Sequence, residues 1–177
     1  MKTLQEQDLI YLAGFIDADG SIIAQIVKKS DYRFKYQIRL TFQVTQLTKR
    51  RWLLESFKEL IGAGTIRTRK GGSVSDYVLV EAANVAAILR QIRPFLRVKK
   101  KQADLVLRII EQLPSAKESL EQFYQVCKLT DQVSSLNDSK VKTNTYESVK
   151  ATLSGNDNVP VPVETSDEAL SEESDEG

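Results

Sequence analysis

Hydrophobic and polar positions follow two different periods along the first 45 residues of the chain. Residues 5–19 predict a helix that ends at Gly20, because apolar side chains recur there every three or four positions. These positions are Leu9, Leu12, Ala13 and Ile16. The period then changes to two, and residues 21–27 and 36–44 predict two strands, the second with one apolar and one polar face.

A second helix and two more strands follow. Thr48 is the predicted N-cap of a helix over residues 48–60, and residues 65–69 and 73–80 predict the strands on either side of a glycine-rich turn. The apolar stripe of the helix is predicted to comprise Trp52, Leu53, Phe57, Leu60 and Ile61.

The remaining pattern is helical. Asn84 is the predicted cap of a helix over residues 84–93, which Pro94 stops. Further helices are predicted over 102–113, where Pro114 interrupts, and over 118–136 and 143–153. The predicted fold class is α+β, with a helix–strand–strand–helix–strand–strand–helix core, one antiparallel sheet backed by helices, and additional C-terminal helices.

Charge is distributed unevenly along the 177 residues. Residues 154–177 hold eight acidic residues and no Lys or Arg, whereas residues 1–153 hold all 25 basic residues against 16 acidic ones. We therefore predict one domain over residues 1–153 and an acidic, disordered tail over residues 154–177. A basic domain is a candidate for binding nucleic acid, although scattered Lys and Arg also make an ordinary solvated surface.

The composition narrows the chemistry available to a site. The chain has one cysteine, Cys127, and no histidine, which excludes an internal disulfide and a metal cluster of Cys or His ligands. Any metal must be held by oxygen atoms, which favours Mg²⁺ or another hard divalent ion such as Mn²⁺. No apolar run is long enough to span a membrane and the start has no signal-peptide pattern, so we expect an intracellular protein without a membrane partner.

The end of the first helix is electrostatically unfavourable. Asp17 and Asp19 lie in the last turn, where the helix dipole is negative and each carboxylate costs about 0.3–1 kcal/mol. A bound cation would reverse that sign, while the alternative is a core helix with a polar end. Gly14 costs about 1 kcal/mol inside the helix, which close approach of a second helix would offset.

Residues 12–20 read LAGFIDADG, and this motif resembles the one that names the LAGLIDADG homing endonucleases, with Phe15 as the single difference. The resemblance extends to the single-motif, homodimeric branch encoded in chloroplast ribosomal-RNA introns, through residues 11–15, 21–25, 40–46, 50–52, 73–77 and 101–103. It implies a saddle-shaped sheet lying on double-stranded DNA and a homodimer that cuts both strands of a long pseudo-palindromic site with a divalent metal. It also implies that the protein is encoded and works in a chloroplast.

The resemblance further implies roles for individual residues. Asp19 would bind the metal beside the backbone carbonyl of Ala18, Gln46 would position water, and Arg50 and Lys99 would polarise water or offset phosphate charge. Asp17 looks like a structural hydrogen-bonding residue. The helix surface that contacts the second copy is predicted to comprise Leu12, Ala13, Gly14 and Ile16.

The polar side chains of the predicted sheet suit base edges in a major groove. Gln matches adenine, Arg pairs with guanine, and Asp76 either accepts from cytosine or orients an arginine. A solvated sheet face is the alternative explanation. The predicted DNA-binding set comprises Gln25, Lys28, Lys29, Tyr32, Arg33, Gln37, Arg39, Gln43, Arg67, Arg69 and Asp76.

Two other functions compete with DNA cleavage. Relatives with this fold assist intron RNA splicing as maturases, and a sequence-specific DNA-binding regulator would need the same sheet without catalysis. The presence of Asp19, Gln46 and Lys99 together favours cleavage, because neither alternative needs them.

Overall fold

The computed structural model describes residues 3–137 and 144–155 and confirms the predicted α+β order. Six helices, four strands and two short 3₁₀ turns make up the described chain. In order they are α1 Glu6–Asp19, β1 Gly20–Lys28, β2 Tyr36–Leu47, a turn Thr48–Arg50, α2 Arg51–Ile61, β3 Thr65–Thr68, β4 Val74–Leu79, α3 Ala82–Ile92, a turn Arg93–Phe95, α4 Lys100–Glu118, α5 Leu120–Ser135 and α6 Tyr146–Ser154.

The four strands form one antiparallel sheet in the order β1-β2-β4-β3. β2 pairs with the whole length of β1, from Gly20↔Val44 to Lys28↔Tyr36, and its last six residues pair with β4. The helices cover one face of this sheet, so the core lies in a single layer between sheet and helices.

The inner face of the sheet is formed by the predicted apolar positions of β2. All five are buried, namely Tyr36, Ile38, Leu40, Phe42 and Val44. The side chains that pack on them include Leu12 and Ile16 of α1 and Phe57 of α2, all nearly or fully buried. The period-two pattern therefore placed this strand and its orientation correctly.

The outer edge of β1 is covered by side chains from the C-terminal region. Three donors bind three alternate backbone carbonyls, and the donor–acceptor distances are 2.9–3.3 Å. The pairs are Ser134 Oγ to Ala24, Asn137 Nδ2 to Ile22, and Asn144 Nδ2 to Ile26. Since an uncovered strand edge can pair with another chain, these bonds protect the sheet.

Two predictions about α2 are wrong. Thr48 does not cap the helix, because its hydroxyl shares a hydrogen bond with Ser75 Oγ on β4 and α2 begins only at Arg51. Trp52 does not belong to the buried stripe and is 65% exposed, while Leu54 is fully buried in its place. Residues 48–50 form a 3₁₀ turn instead of the first turn of α2. The side of the α-helix that faces the core therefore differs from the side expected for a helix starting at Thr48.

Two predicted helix boundaries are also wrong. α4 continues through Pro114 to Glu118. The proline removes one backbone hydrogen-bond donor from the helix, but the residues after it still pack on the core, and Ala116 is nearly fully buried. α3 begins at Ala82 rather than at Asn84, whose side chain bonds to Glu81 instead of capping the helix.

Residues 156–177, which hold the acidic part of the tail, lie outside the described residues, so its predicted disorder stays a prediction. The described chain ends one residue after α6. None of the helices within 3–137 and 144–155 is long and apolar enough to cross a bilayer.

Gly64, directly before β3, lies where the backbone is tightly packed against β4. Its φ is +90°, and a Cβ there would lie 2.7 Å from Tyr77 Cε2 and 2.9 Å from the carbonyl oxygen of Val78. Strain at positive φ and the clash together predict that Gly64→Ala lowers the free energy of unfolding by about 2–4 kcal/mol in urea denaturation.

Gly71→Ala is the matched control for this prediction. Gly71 has φ +102°, but a Cβ there would meet no atom within 4 Å. It should lose only the conformational part, about 1–2 kcal/mol. Equal losses in the two variants would contradict the packing argument.

Candidate functional site

The junction between α1 and β1 positions the carboxylate that the motif singled out. β1 begins at Gly20, directly after the last residue of α1. A Cβ at Gly20 would lie 2.7 Å from Ile16 Cα, so only glycine allows the chain to turn this closely against the helix. As a result Asp19 is exposed at the point where helix and sheet meet.

Asp19, Gln46 and Arg50 come together although 27 residues separate the first two. Gln46 Nε2 donates to Asp19 Oδ2 at 3.2 Å, and Arg50 Nη1 lies 3.5 Å from Gln46 Oε1. β2 extends to Leu47, three residues beyond its predicted end, and this extension carries Gln46 to the end of α1. The structure thus places three of the four predicted catalytic residues in one connected row.

Asp17 has a different environment from Asp19. Its Oδ2 accepts from the backbone N–H of Arg97 at 2.7 Å, and its Oδ1 accepts from that of Lys99 at 2.9 Å. These donors lie just before α4, which begins at Lys100, so Asp17 supplies the anion that the amino end of α4 favours. These hydrogen bonds agree with the structural role that the resemblance implies for Asp17.

The same contact fixes the fourth predicted catalytic residue. Lys99 Nζ donates to the backbone carbonyl of Asp17 at 2.7 Å, and Lys99 lines a cavity together with Ala18 and Asp19. Partial burial raises the pKa of the Asp17 carboxyl, but the backbone hydrogen bonds and the Lys99 charge outweigh it. Its pKa consequently lies below the ordinary value of 3.8.

The described residues contain no cluster of three or more acidic, His or Cys side chains that could hold a metal ion. Asp19 makes no ion pair within the described chain, and the neighbouring Ala18 is exposed. One carboxylate and one backbone carbonyl suit a hard divalent ion only if phosphates or a second subunit complete its coordination. The donor set fits a shared metal site.

A second cluster lies on the outward face of the sheet around Asp76. This carboxylate is fully buried, and Arg69 donates to both of its oxygens, at 2.8 Å and 2.7 Å. Thr45 Oγ1 donates at 2.7 Å, Gln43 Nε2 donates at 3.1 Å, and Arg67 Nε lies 3.5 Å away. Burial raises the pKa of Asp76, but the bonds from Arg69 and Thr45 and the two arginine charges lower it further.

One prediction for Asp76 is therefore wrong and its alternative is confirmed. Because the side chain has no exposed surface, it cannot accept a hydrogen bond from cytosine; instead it orients Arg69 and Arg67, which are about half and two-thirds exposed. Thr45 was missed, although continuing the period of two past Gln43 would have found it.

The other predicted DNA-binding residues fall into two groups. Gln25 lies opposite Arg39 in the β1–β2 pair, and Gln37 shares their outward face. Lys28, Lys29, Tyr32 and Arg33 lie at the exposed hairpin end. The Arg33 side chain is turned toward α4, because it donates a hydrogen bond to the backbone carbonyl of Glu118 at 2.8 Å.

The predicted contact surface on α1 needs a correction. Leu12, Ala13 and Ile16 are fully buried in their own subunit, so their side chains are not available to a second copy. Gly14 is exposed, and a Cβ there would meet no atom within 4 Å. The exposed stripe of α1 comprises Ile10, Tyr11, Gly14 and Ala18, of which Ile10 and Tyr11 are more than half exposed.

This stripe was missed because Leu12, Ala13 and Ile16 were predicted both to face the core and to contact the second copy. Apolar residues occur on more than one side of α1, which is typical of a helix that is covered on both sides. That breadth of apolar surface is the signal that could have found Ile10 and Tyr11.

Comparison with known proteins gives concordant matches. The model of the LAGLIDADG endonuclease family matches residues 12–110, more than half of the chain. The chain is 57% identical over 145 residues to DNA endonuclease I-CreI of Chlamydomonas reinhardtii, covering 82% of this chain and 88% of the relative. It is 39% identical over 143 residues to DNA endonuclease I-CvuI of Chlorella vulgaris, covering 81% and 88%.

Solved structures match as well. I-CvuI bound to its target in the presence of calcium superposes with a TM-score of 0.80 at 36% identity, covering 84% of this chain and 94% of that one. I-CvuI with the I-CreI target and magnesium, in which the DNA is not cleaved, gives a TM-score of 0.81 at 37% identity, covering 85% and 94%. The archaeal intron-encoded I-Vdi141I complexed with DNA gives 0.76 at 22% identity, covering 85% and 96%, which supports the fold alone.

The contact between Asp17 and α4 leads to a pH-dependent prediction. Asp17→Asn replaces a charged acceptor at a helix start and should lower the free energy of unfolding by about 1 kcal/mol at pH 7. Because the pKa of Asp17 is lowered in the folded protein, the wild-type advantage is present above the ordinary value of 3.8 and is lost as the pH falls through the lowered pKa.

Urea denaturation at constant protein concentration between pH 3 and 7 measures this difference. Glu59→Gln, an exposed change on α2, is the control and should leave the stability nearly unchanged. Equal stability of Asp17→Asn and the wild type at pH 7 would show that the carboxylate does not stabilise the start of α4.

Proposed function

The chain belongs to the LAGLIDADG endonuclease family, and we propose that it acts as a site-specific homing endonuclease that cuts both DNA strands of a long pseudo-palindromic site as a homodimer. The observation that carries this function is the row formed by Asp19, Gln46 and Arg50 at the end of α1. It lies beside an exposed apolar helix stripe and at the border of a sheet face that carries ordered arginines.

Hydrolysis of a phosphodiester requires an in-line water molecule, charge compensation at the phosphate and stabilisation of the leaving oxygen. A bound divalent ion supplies Lewis acidity and a more acidic water in such a site. Asp19 and the carbonyl of Ala18 are the groups of this chain that would hold it. We infer Mg²⁺ or Mn²⁺, because the donors are oxygen atoms.

The neighbouring side chains act on water and on phosphate. Gln46 donates to Asp19 and holds that carboxylate in place, while its carbonyl oxygen is directed toward Arg50 and can orient water. Arg50 and Lys99 bring positive charge that offsets the charge of the scissile phosphate. Lys99 is fixed by Asp17, so the two acids of the motif have separate roles.

Recognition of bases is assigned to the outward face of the sheet. Asp76 accepts hydrogen bonds from Nε and Nη2 of Arg69, whose side chain stays about half exposed. Because Arg69 is already held in one conformation, it loses less conformational entropy when it binds DNA. Gln25, Gln37, Arg39, Gln43 and Arg67 extend the same face, and the hairpin residues Lys28, Lys29, Tyr32 and Arg33 suit phosphates or distal bases.

The dimer follows from the number of carboxylates that each chain provides. One chain carries one LAGLIDADG motif, so cutting two strands requires the Asp19 of a second copy. The exposed stripe at Ile10, Tyr11, Gly14 and Ala18 allows two α1 helices to approach closely, because Gly14 leaves open space. This arrangement sets two Asp19 carboxylates side by side.

The source of the protein is a further part of the proposal. The two curated relatives come from algae, and we infer that this protein is encoded by an intron in an organelle, the chloroplast.

Asp19→Asn tests the catalytic assignment. Loss of the metal ligand should lower the rate of cleavage by about 10³-fold or more, since a metal stabilises the transition state by several kcal/mol, while specific binding stays within about threefold. The assay measures linear products from a plasmid bearing the I-CreI target, and from a library of randomised targets, with Mg²⁺ or Mn²⁺. Glu59→Gln serves as the control and should cut like the wild type.

The outcomes of this assay separate the three functions. Linear products support the endonuclease, binding without products supports a regulator, and activity on precursor RNA alone supports a maturase. Cleavage retained by Asp19→Asn would overturn the role of this residue.

Gly14→Leu tests the two-helix contact. A leucine fits within the subunit and improves helix propensity by up to about 1 kcal/mol, yet it should prevent the close approach of a second α1. We expect a monomer in sedimentation analysis, an unchanged circular dichroism spectrum and no double-strand cleavage. Ala83→Leu, on the exposed side of α3, should remain dimeric. A Gly14→Leu dimer of wild-type stability would contradict the proposed contact.

A further inference from the structure

We propose that the acidic segment over residues 156–177 docks on the outward face of the sheet of its own chain and competes there with DNA. The proposal rests on the proposed function in one respect, namely that this face binds DNA. It adds a regulatory occupant, since a polyanion that belongs to the chain would have to leave before the polyanionic substrate binds.

The distribution of charge selects this face. The strands β1–β4 and the two hairpin turns, residues 20–47 and 65–79, hold eight basic and two acidic residues. The rest of residues 1–153 holds 17 basic and 14 acidic residues. The sheet therefore carries most of the positive surplus of the domain, and the eight carboxylates of residues 156–177 have no basic residue among them.

The two acids of the sheet do not neutralise this surplus. Asp76 is fully buried and is engaged by Arg69 and Arg67, and Asp31 pairs with Lys29. Lys28, Lys35, Arg39 and Lys70 are exposed and make no ion pair within the described part of the chain. Arg39 lies on the outward face, and the three lysines lie at its two hairpin ends, so external carboxylates gain the most at these four side chains.

The tether permits the contact. Twenty-two extended residues span up to about 70 Å, whereas a domain of this size has a radius of gyration of only about 15 Å. Reach therefore does not restrict where the segment binds, and charge decides. Attachment to the same chain also gives the segment an effective concentration of the order of millimolar, so a weak contact is sufficient.

Such a contact has an electrostatic signature. DNA binding to a basic face weakens steeply with salt, and displacement of a competing anionic segment adds a cost that is largest at low ionic strength. The competition should therefore disappear in high salt, where both contacts are screened.

Zero-length carbodiimide coupling on the full chain tests where the segment lies. The reagent joins a carboxylate to a lysine amine only when they are in contact, and the products are identified by mass spectrometry. We expect links from the segment to Lys28, Lys29, Lys35 or Lys70, and their loss when excess random-sequence duplex is added. Links confined to lysines outside the two hairpins, such as Lys58, Lys117 and Lys128 on the helices, would overturn the proposal. An absence of links to the four hairpin lysines would also overturn it.

A full-length charge-neutral variant tests the consequence. It replaces each acid of the segment by its amide, at Asp157, Glu164, Asp167, Glu168, Glu172, Glu173, Asp175 and Glu176. Affinity for a random-sequence duplex, measured in a metal chelator at 50 mM salt, should rise about tenfold, and the difference should fall below about twofold at 300 mM salt. A variant with the same segment in shuffled order keeps the charge and should bind like the wild type.

Unchanged affinity of the neutral variant at 50 mM salt would overturn the competition. The test is independent of the proposed chemistry, because coupling needs no DNA and the binding assay needs no cleavage. A protein that fails to cut any target but shows the expected links retains the docking proposal and loses the endonuclease assignment, and the reverse result does the opposite.

Discussion

The absence of any side chain at Gly20 is the constraint on which the site depends. Because a Cβ would collide with Ile16, the chain can pass from helix to strand without a connecting loop only if that residue is glycine. This direct transition sets the phase of β1 against β2 and brings the last turn of α1 to the border of the sheet. The acidic end of α1 thereby lies at the border of the sheet and in contact with the start of α4, about 80 residues further along the chain.

Two carboxylates in the same helical turn acquire opposite functions through their surroundings. Asp17 turns toward backbone donors at the start of α4, where the dipole of a second helix offsets its charge. Among the described residues, Asp19 accepts one side-chain hydrogen bond, from the Gln46 amide, and its carboxylate is exposed. One acid thus joins two helices, and the other has no ion-pair partner among residues 3–137 and 144–155, as the proposed metal ligand requires.

Sequence patterns were sufficient for the order of helices and strands, because hydrophobic periodicity is a local property. They located the buried face of β2 and both acids of α1. Three of the failures occurred where a distant partner decides the outcome. The hydroxyl of Thr48 bonds to Ser75 across the sheet, Asp76 is buried beneath two arginines, and Leu12 packs inside its own subunit. None of these partners lies within one helical turn or strand repeat of the residue concerned, so no local rule could have assigned them.

The side chains that cover the outer edge of β1 also determine how copies of this protein can associate. With the carbonyls of Ile22, Ala24 and Ile26 already bonded to Ser134, Asn137 and Asn144, the β1 edge of the sheet offers a second molecule few free acceptors for strand-to-strand pairing. In the proposed dimer, self-association uses the apolar stripe of α1, which would align the two Asp19 carboxylates. The C-terminal region, which contains none of the proposed catalytic residues, thereby disfavours open-ended growth of the sheet at β1.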